Sequence, residues 1–181
     1  ISAARIEVTS DDPTKVEHAG KDRSQNLMPQ LRSQFDGARE SVMLVSPYFV
    51  PRKGGVEFLR SLRARGVRVR VLTNGLASTD VLPVFGKYKK YRRKLLEAGI
   101  ELYEIDPAYD LDGPAGPLQT SDDAKAPRAA LHGKVLSFDC LQFFVGSMNL
   151  DPRSAFTNTE IGFLVDAPDV AGPLCEGLDQ T

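Results

Sequence analysis

Two pairs of polar residues, each separated by a single position, are the part of this sequence best suited to chemistry. His132 and Lys134 lie in an otherwise apolar run, and Ser147 and Asn149 follow a second apolar run. Residues two apart on a β-strand point to the same face, so the imidazole and the ammonium are predicted to lie side by side. Because two adjacent cations repel, this spacing favours a neutral imidazole unless an acid or a bound anion lies nearby.

A neutral histidine beside a fixed cation suits nucleophilic attack on phosphorus. The imidazole supplies a lone pair, and the ammonium attracts and neutralises phosphoryl oxygens. Ser147 and Asn149 come after Gly146, which lets the backbone approach a ligand closely, so their hydroxyl and amide can bond the same phosphate. Glu160 is an acid on the last predicted strand, from which it can fix the tautomer of His132.

Each of these residues also has a structural interpretation when it is taken alone. A single histidine on an apolar strand is most often a satisfied core residue, and a single lysine is most often a solvated charge. Serine and asparagine after glycine commonly form turns. Only the joint spacing of the four residues favours chemistry over packing.

The elements that must position these residues alternate between helix patterns and strand patterns. Residues 27–39, 55–65 and 80–98 have the apolar spacing of amphipathic helices. Short apolar or alternating runs predict strands at 5–8, 41–47, 67–73, 100–105, 131–138, 142–146 and 160–165. Strand and helix alternate over the first seven elements, which indicates an α/β sheet layered with helices.

Two segments lack these patterns. Residues 107–130 are rich in proline, glycine and aspartate and are predicted to form a long exposed loop, which in a compact domain is usually functional or disordered. Residues 167–181 contain prolines and glycines and are interpreted as a tail. No internal repeat or domain boundary is evident, so residues 1–181 are predicted to form a single domain.

The net charge of −1 conceals a strong segregation of charge along the chain. Residues 52–94 contain 13 Lys and Arg against two acids, whereas residues 97–123 contain eight acids and no base. The pattern has two interpretations, solvated helix faces beside an acidic loop or a basic surface that collects an anionic partner. Phospholipid headgroups and nucleic acid are both such partners.

Composition excludes several classes of protein. With 181 residues and 41% hydrophobic residues, the chain can bury a core without disulfides or a structural metal. Its apolar runs are shorter than the roughly 18 residues of a membrane span. Cys140 and Cys175 are expected as buried, reduced thiols, with a disulfide or a reactive thiol as the alternatives. The start at Ile1 shows no leader pattern and suggests a piece of a longer protein.

Taken together, the polar residues resemble the H-x-K-x4-D-x6-G-S-x-N signature of the phospholipase D superfamily. The signature is matched at every position, by His132, Lys134, Asp139, Gly146, Ser147 and Asn149. Glu160 stands where the family has its histidine-orienting acid. The similarity covers about residues 9–166, includes segments 46–51 and 72–80, and is greatest to the second, C-terminal half of bacterial cardiolipin synthases.

The resemblance implies a phospholipase D-like, endonuclease-type α/β fold, in which a mixed β-sheet is sandwiched between helices and carries one such motif. It also implies a two-step phosphodiester exchange without metal or cofactor. One histidine attacks phosphorus to form a phosphohistidine, and the histidine of a second half protonates the leaving alcohol and activates the acceptor. His132 is either of these two histidines, and Glu160 orients it.

The other motif residues are assigned by the same resemblance. Lys134, Ser147 and Asn149 are expected to hold phosphoryl oxygens. Asp139 is expected to be structural and salt-bridged away from phosphorus, and Gly146 is part of the structural motif. Asn74, at the end of a predicted strand, is expected to line the substrate pocket.

The function implied first is that of a phosphatidyltransferase that makes cardiolipin from phosphatidylglycerol or phosphatidylethanolamine, at the cytoplasmic face of the bacterial inner membrane as a peripheral protein. The alternatives are a phospholipase D or nuclease that uses water, and a non-catalytic half that binds an anionic membrane surface. Nucleic acid is the less favoured partner. The motif requires a missing N-terminal half or a second copy, so the isolated chain is expected to be inactive as a monomer.

Overall fold

One mixed sheet of seven strands forms the centre of the fold. The computed structural model describes residues 5–17, 26–106 and 130–179. In chain order the strands are β1 (Arg5–Ser10), β2 (Ser41–Val45), β3 (Arg68–Asn74), β4 (Glu101–Ile105), β5 (Val135–Phe138), β6 (Gln142–Gly146) and β7 (Ile161–Asp166). They lie in the order β1-β7-β6-β5-β2-β3-β4. β2, β3 and β4 are parallel, and the other neighbours are antiparallel.

The described helices are α1 (Leu27–Gln30), α2 (Arg32–Gly37), α3 (Arg52–Ala64), α4 (Leu82–Glu97), α5 (Pro152–Phe156) and α6 (Pro168–Asp179), with a 3₁₀ helix at Pro13–Val16. The longest two, α3 and α4, connect β2 to β3 and β3 to β4, because parallel neighbours need a crossover. The predicted α/β fold with a mixed sheet and helices is confirmed.

The main core lies between the sheet and the helices α1 to α4. Alternate residues of the strands, such as Leu44 and Val69, point into it and are buried. From α3 the side chains of Val56, Leu59 and Leu62 enter the same core at helical spacing. Burial of each large apolar side chain stabilises the fold by about 1.5–3 kcal/mol. This core holds the strand ends of the candidate site in fixed positions.

A smaller cluster on the opposite face of the sheet attaches α6. Cys175 and Leu178 of α6 pack against Met43, and a disulfide joins Cys175 to Cys140 in the turn after β5. The buried Arg70 guanidinium donates to the carbonyl oxygen of Cys175 at 3.0 Å. The expectation of two reduced thiols was therefore wrong, because the turn after β5 brings the Cα atoms of the cysteines to 6.0 Å, within the range a disulfide needs.

Reduction of this disulfide is expected to lower the free energy of unfolding by about 3–4 kcal/mol, since the bond closes a long loop. Urea unfolding followed by circular dichroism, with and without dithiothreitol, measures the difference. The double variant Cys140→Ser, Cys175→Ser is the control, and it should have the lower stability without responding to dithiothreitol. Equal stability of the unaltered protein in both conditions would contradict the prediction.

The structure differs from the predicted elements in two further places. The predicted helix over 27–39 is interrupted at Leu31 between α1 and α2, although its buried face is retained. The segment interpreted as a tail contains α6, where Ala171, Cys175 and Leu178 have the spacing of a buried helix face. Most of the predicted loop, residues 107–129, lies outside the described residues.

Apolar side chains are exposed at the β1–β7–β6 end of the sheet. Val8, Phe163 and Val145 lie next to each other in register and are 62%, 46% and 38% exposed. Ile6 and Ile161 are exposed beside them, and the five residues together are called here the apolar sheet face. Patches of this kind commonly mark an interaction surface. Within the described ranges, no helix is long and apolar enough to cross a membrane.

Candidate active site

Several chain segments that carry the predicted site residues meet at one edge of the sheet. The end of β2 pairs with the start of β5, where Val45 lies opposite Val135. The end of β6 lies beside the starts of both β5 and β7. The carboxyl ends of parallel strands are the usual ligand-binding edge of an α/β sheet. The two polar pairs and Glu160 all follow or precede strands at this edge.

His132 and Lys134 lie just before β5, not within it as predicted. The ladder starts only at Val135, because its partner strand β2 ends at Val45. The Lys134 ammonium turns back and donates to the backbone carbonyl of His132 at 2.8 Å. The alternation of side chains along a strand therefore does not determine the orientations of His132 and Lys134, although the backbone keeps the two residues close together.

Asn74 holds the segment that carries His132. Its amide nitrogen donates to the carbonyl of Leu131 at 3.1 Å, and its amide oxygen accepts the backbone N–H of Leu131 at 2.9 Å. Asn74 is also buried. Because both ends of this amide are engaged with Leu131, the structure gives Asn74 a positioning role in place of the expected contact with substrate.

Close packing of two glycines brings Ser147 to Glu160. A Cβ atom on Gly146 would stand 2.7 Å from the Cα atom of Gly162 and 2.8 Å from the ring of Phe144, so only glycine fits there. With the strands this close, the Ser147 hydroxyl donates to a carboxylate oxygen of Glu160 at 2.5 Å. The backbone N–H of Ile161 donates to the same hydroxyl at 3.1 Å.

Glu160 is buried immediately before β7. Its second carboxylate oxygen accepts a bond from the Asn158 amide at 3.4 Å. Among the described residues, Ser147 and Asn158 are its hydrogen-bonding side-chain partners, and the carboxylate makes no bond to His132. Orientation of the imidazole by Glu160 thus stays a prediction, and the direct contact in this structure is with Ser147.

A buried ion pair supports Glu160 and was missed by the sequence analysis. Asp11 accepts the backbone N–H of Glu160 at 2.9 Å and that of Leu27 at 2.8 Å. The Lys15 ammonium pairs with Asp11 at 2.6 Å and donates to the carbonyl of Ser154 at 2.8 Å. This pair ties together β1, α1, α5 and the start of β7. The spacing of four residues between Asp11 and Lys15 was the only local signal in the sequence for this ion pair.

Two acidic groups, Glu160 and Asp80, act on the charge of Lys134. Burial lowers the pKa of Lys134, while the charges of Glu160 and Asp80 act in the opposite direction. Asp80 also accepts a bond from the Tyr48 hydroxyl at 2.9 Å, and burial together with this carboxylate raises the pKa of Tyr48. Tyr48 and Asp80 were not among the predicted site residues, although both lie in segments that carried the family resemblance.

The loop after β6 is fixed on the helical side of the sheet. The backbone N–H of Asn149 donates to the Ser154 hydroxyl at 3.2 Å, and that of Leu150 donates to the buried Ser46 hydroxyl at 3.1 Å. Asp151 caps α5 by accepting the N–H groups of Arg153 and Ser154. The Asn149 side-chain oxygen is buried and, among the described residues, has no hydrogen-bond partner.

Asp139 was predicted to be structural and salt-bridged, but within the described residues it makes no salt bridge and accepts backbone N–H groups instead. It lies in the turn after β5, with a φ of 53°. Its carboxylate accepts the backbone N–H groups of Arg39, Glu40 and Ser41 at 2.8 to 3.1 Å. Burial alone would raise the pKa of Asp139, but these donors and the charge of Arg39 lower it.

Asp139→Asn is expected to reduce the free energy of unfolding at pH 7 by about 1–3 kcal/mol, since the substitution removes charged acceptors from three N–H donors. The folded pKa is lowered, so this contribution is present above the unfolded pKa of about 3.9 and is lost as pH falls through the folded value. Urea unfolding measures the free energy of unfolding of the variant and of the unaltered protein. The difference between the two should be smaller at pH 3 than at pH 7.

The exposed Asp36→Asn serves as the matched control, because its surface pair with Arg32 should contribute less than about 1 kcal/mol. A gap at Asp139 that stayed constant between the two pH values would contradict the assigned role of its charge.

The basic stretch contains cations in ion pairs and further exposed cations, of which Lys53 also pairs with Glu57 at 3.9 Å. Arg68 pairs with Glu101, Arg92 with Glu104 and Arg93 with Glu97. Further cations are exposed on α3 and α4, namely Arg52, Lys53, Arg60, Lys87, Lys89, Lys90 and Lys94. Both helices begin after the strand ends that form the candidate site, so the exposed cations extend from it over the helical surface.

The chemistry available at this edge is that of phosphate binding and proton or phosphoryl transfer. An imidazole, an ammonium, a hydroxyl and an amide converge there, which is the set that nucleophilic substitution at phosphorus needs. In the part of the chain that the structure describes, no group of three or more His, Cys, Asp or Glu side chains could hold a metal ion.

Comparisons with known proteins agree with this chemistry. A family model described as cardiolipin synthase, PLD-like domain, matches residues 31–180. Cardiolipin synthase C of Escherichia coli is 38% identical over 169 residues, which are 93% of this chain and 35% of that protein. The chain thus spans about a third of the length of this relative.

Two solved structures have a similar fold. Nuc, a phospholipase D family member from Salmonella typhimurium, superposes with a TM-score of 0.63 at 17% identity, covering 98% of this chain and 93% of Nuc. NucT from Helicobacter pylori superposes with a TM-score of 0.62 at 16% identity, covering 98% of this chain and 95% of NucT. At these identities the likeness concerns the fold.

Proposed function

We infer the function of this chain from the family to which it belongs, the phospholipase D-like domains of the cardiolipin synthase type. Membership supports phosphodiester hydrolysis or transfer as the general activity. We propose the more specific function of one half of a phosphatidyltransferase, acting through a phosphohistidine. The observation that carries the proposal is the convergence of His132, Lys134, Ser147 and Asn149 at one edge of the sheet.

In the proposed reaction, a nitrogen of neutral His132 attacks the phosphorus of a phospholipid. The bond from phosphorus to the leaving alkoxide breaks, and the histidine of the other half donates the proton that this oxygen takes up. That second histidine then removes the proton from the acceptor hydroxyl, which attacks phosphorus and breaks the phosphorus–nitrogen bond. If His132 is the acid and base, the same steps run with the two histidines exchanged.

Lys134, Ser147 and Asn149 hold the phosphoryl oxygens in this proposal. Charge builds on these oxygens in the transition state, and an ammonium with two neutral donors stabilises it. A phosphoryl oxygen would then replace two contacts of the free site, the Ser147 bond to Glu160 and the Lys134 bond to the His132 carbonyl. Released from Ser147, the Glu160 carboxylate is available to orient the imidazole.

A phospholipid is the favoured substrate because the sequence is 38% identical to a cardiolipin synthase over 93% of the chain. We propose phosphatidylglycerol or phosphatidylethanolamine as the lipid that takes part. The exposed cations of α3 and α4 would hold the protein at an anionic surface as a peripheral protein of the cytoplasmic face of the bacterial inner membrane. Hydrolysis by water, of lipid or of nucleic acid, is the second candidate, favoured by the likeness in fold to Nuc.

The activity is tested with vesicles of phosphatidylglycerol, with and without phosphatidylethanolamine, and with plasmid DNA in parallel. Mass spectrometry identifies the products. Cardiolipin supports transfer to lipid, whereas phosphatidic acid alone supports hydrolysis. Cleavage of DNA without any lipid product would overturn the proposal, and EDTA in each arm tests the expected independence from metal.

Lys134→Ala is expected to weaken orthovanadate binding about 10- to 100-fold, as for the loss of a charge-assisted bond. Isothermal titration calorimetry measures the affinity. The exposed Lys94→Ala, which removes the same charge from α4, is the control and should change the affinity by less than twofold at physiological salt. An equal effect of both substitutions would show that Lys134 acts only through net charge.

A further inference from the structure

An apolar cavity shares one residue, Asn149, with the candidate site. It has a volume of about 560 Å³, is open to the surface, and is lined by the first turns of α3, by α5 and by core residues. Its walls include the rings of Phe35, Phe58 and Phe156, and Asn149 lies at its boundary. A volume of this size is typical of small-molecule sites, whereas packed cores contain few voids larger than a water molecule.

Most of the residues that line this cavity are apolar, and a few are polar or charged. Three charged residues are among those that line it: Arg52 and Lys53, both exposed at the start of α3, and Asp151, which caps α5. At the site, the border includes Asn149, whose buried side-chain oxygen has no partner among the described residues. A mainly apolar lining that includes one residue of the candidate site matches the apolar chain of a molecule whose polar head lies at that site.

We propose that this cavity binds one acyl chain of the lipid whose phosphodiester reacts at His132. The inference rests on the proposed function and adds to it the position of the lipid's acyl chain. Asn149 makes the connection, because the same residue borders the cavity and belongs to the set proposed to hold the phosphoryl oxygens. The chain would run from that phosphoryl group past Asn149, between α3 and α5.

The two helices leave room for such a chain. A Cβ atom on Gly54 of α3 would meet no other atom within 4 Å, and Gly54 lines the cavity. Phe156 of α5 is 39% exposed on the other side of the opening. An acyl chain would cover this ring, and burial of the apolar surfaces of both would supply free energy of binding.

The test uses n-alkyl phosphates below their micellar concentrations, with inorganic phosphate as the chain-free probe. Isothermal titration calorimetry on the 181-residue chain gives the affinities. Affinity should rise about fourfold per added methylene, as for a chain transferred out of water, and should level off when the cavity is full. Equal affinity for decyl phosphate and inorganic phosphate would overturn the proposal.

Two substitutions that fill the cavity test whether the alkyl chain of the probe binds there. Ala155→Phe and Gly54→Phe should each reduce the ratio of decyl phosphate affinity to inorganic phosphate affinity at least about tenfold, since several methylenes lose their place. Gly54→Phe replaces a helical glycine with open space beside it, so it tests the proposal even if Ala155→Phe does not fold. The control Leu96→Phe, on the exposed side of α4, should leave the ratio unchanged.

The proposed function fails separately from this inference. Lys134→Ala should weaken decyl phosphate and inorganic phosphate by the same factor, because it acts on the shared phosphate. If Lys134→Ala had no effect while affinity still depended on alkyl chain length, the result would support the acyl-chain cavity and contradict the proposed phosphate site. If Lys134→Ala weakened binding but affinity did not depend on alkyl chain length, the result would support the phosphate site and contradict the acyl-chain cavity. A dependence on chain length that survives both filling substitutions would place the chain elsewhere and overturn the inference.

Discussion

His132→Asn is expected to lower turnover at least about 10³-fold in the active form of the protein while the fold remains intact. Both steps of the proposed exchange pass through a histidine on each side of phosphorus, and asparagine can neither attack phosphorus nor exchange a proton near neutral pH. Within the described residues, the His132 side chain makes no hydrogen bond, so its removal breaks few contacts. Thermal unfolding should therefore change little.

The measurement is kcat/KM on phosphatidylglycerol vesicles and on bis(4-nitrophenyl) phosphate, with melting temperature as the check on folding. Thr159→Asn, an exposed change next to Glu160, is the matched control and should keep most of the activity. Mass spectrometry after a rapid quench identifies the residue that carries phosphorus. An adduct on His132 assigns it as the nucleophile, and loss of activity without that adduct assigns it as the acid and base. Turnover close to that of the unaltered protein would exclude both roles.

The sequence predicts the core of the site because two local rules determine where its residues meet. Apolar runs predict the strands, and a polar residue directly before or after a buried strand must lie at a sheet edge. Ser147 satisfies this rule. His132 and Glu160 were predicted to lie inside strands, and they come to the same edge because β5 and β7 begin only at Val135 and Ile161. Gly146 was predicted to let the backbone approach a ligand, whereas in the structure a side chain there would collide with Gly162 of β7 and the ring of Phe144.

The details that the sequence does not predict depend on contacts between distant segments. The ladder of β5 starts at Val135 because β2 ends at Val45, which no pattern within β5 reveals. The Asn74 amide was expected to face substrate, but its partner is the backbone of Leu131, 57 residues away. Asp11 supports Glu160 across 149 residues. Such pairings follow from the strand order, which local periodicity does not contain.

The disulfide and α6 illustrate a different reason for error. Prolines and glycines in the last segment predict irregular structure from propensity, yet the helix forms because tertiary packing outweighs propensity. Ala171, Cys175 and Leu178 face the sheet, and Cys140 holds them there through Cys175. The pairing of two cysteines 35 residues apart is decided by the turn after β5.

The 181-residue chain is expected to be catalytically silent as a monomer and active only when a second motif completes the site. The proposed exchange needs a nucleophile and an acid on opposite sides of phosphorus, and the candidate site contains one histidine. The only other histidine in the sequence, His18, lies outside the described residues. A two-fold dimer would bring two copies of His132 to one phosphodiester.

The apolar sheet face is the surface on which we expect the second copy or the missing half to dock. Val145 immediately precedes the site glycine, so a partner on this face would reach the candidate site as well. Phe163→Glu places a charge at the centre of the face and should keep the chain monomeric and inactive. Leu96→Glu introduces the same charge on the far side of α4, where the leucine is 55% exposed, and should change neither association nor activity.

Activity per chain, measured on bis(4-nitrophenyl) phosphate over a dilution series, should fall as sedimentation velocity shows the dimer dissociating. The Phe163→Glu monomer separates the effect of association from that of dilution, because it stays inactive at every concentration. Mixing His132→Asn with the unaltered chain adds a second criterion, since a shared site predicts that mixed dimers lose activity in proportion to their number. Constant activity per chain in a sedimenting monomer would contradict the need for two motifs, and the phosphoryl chemistry would then have to use a single histidine for both steps.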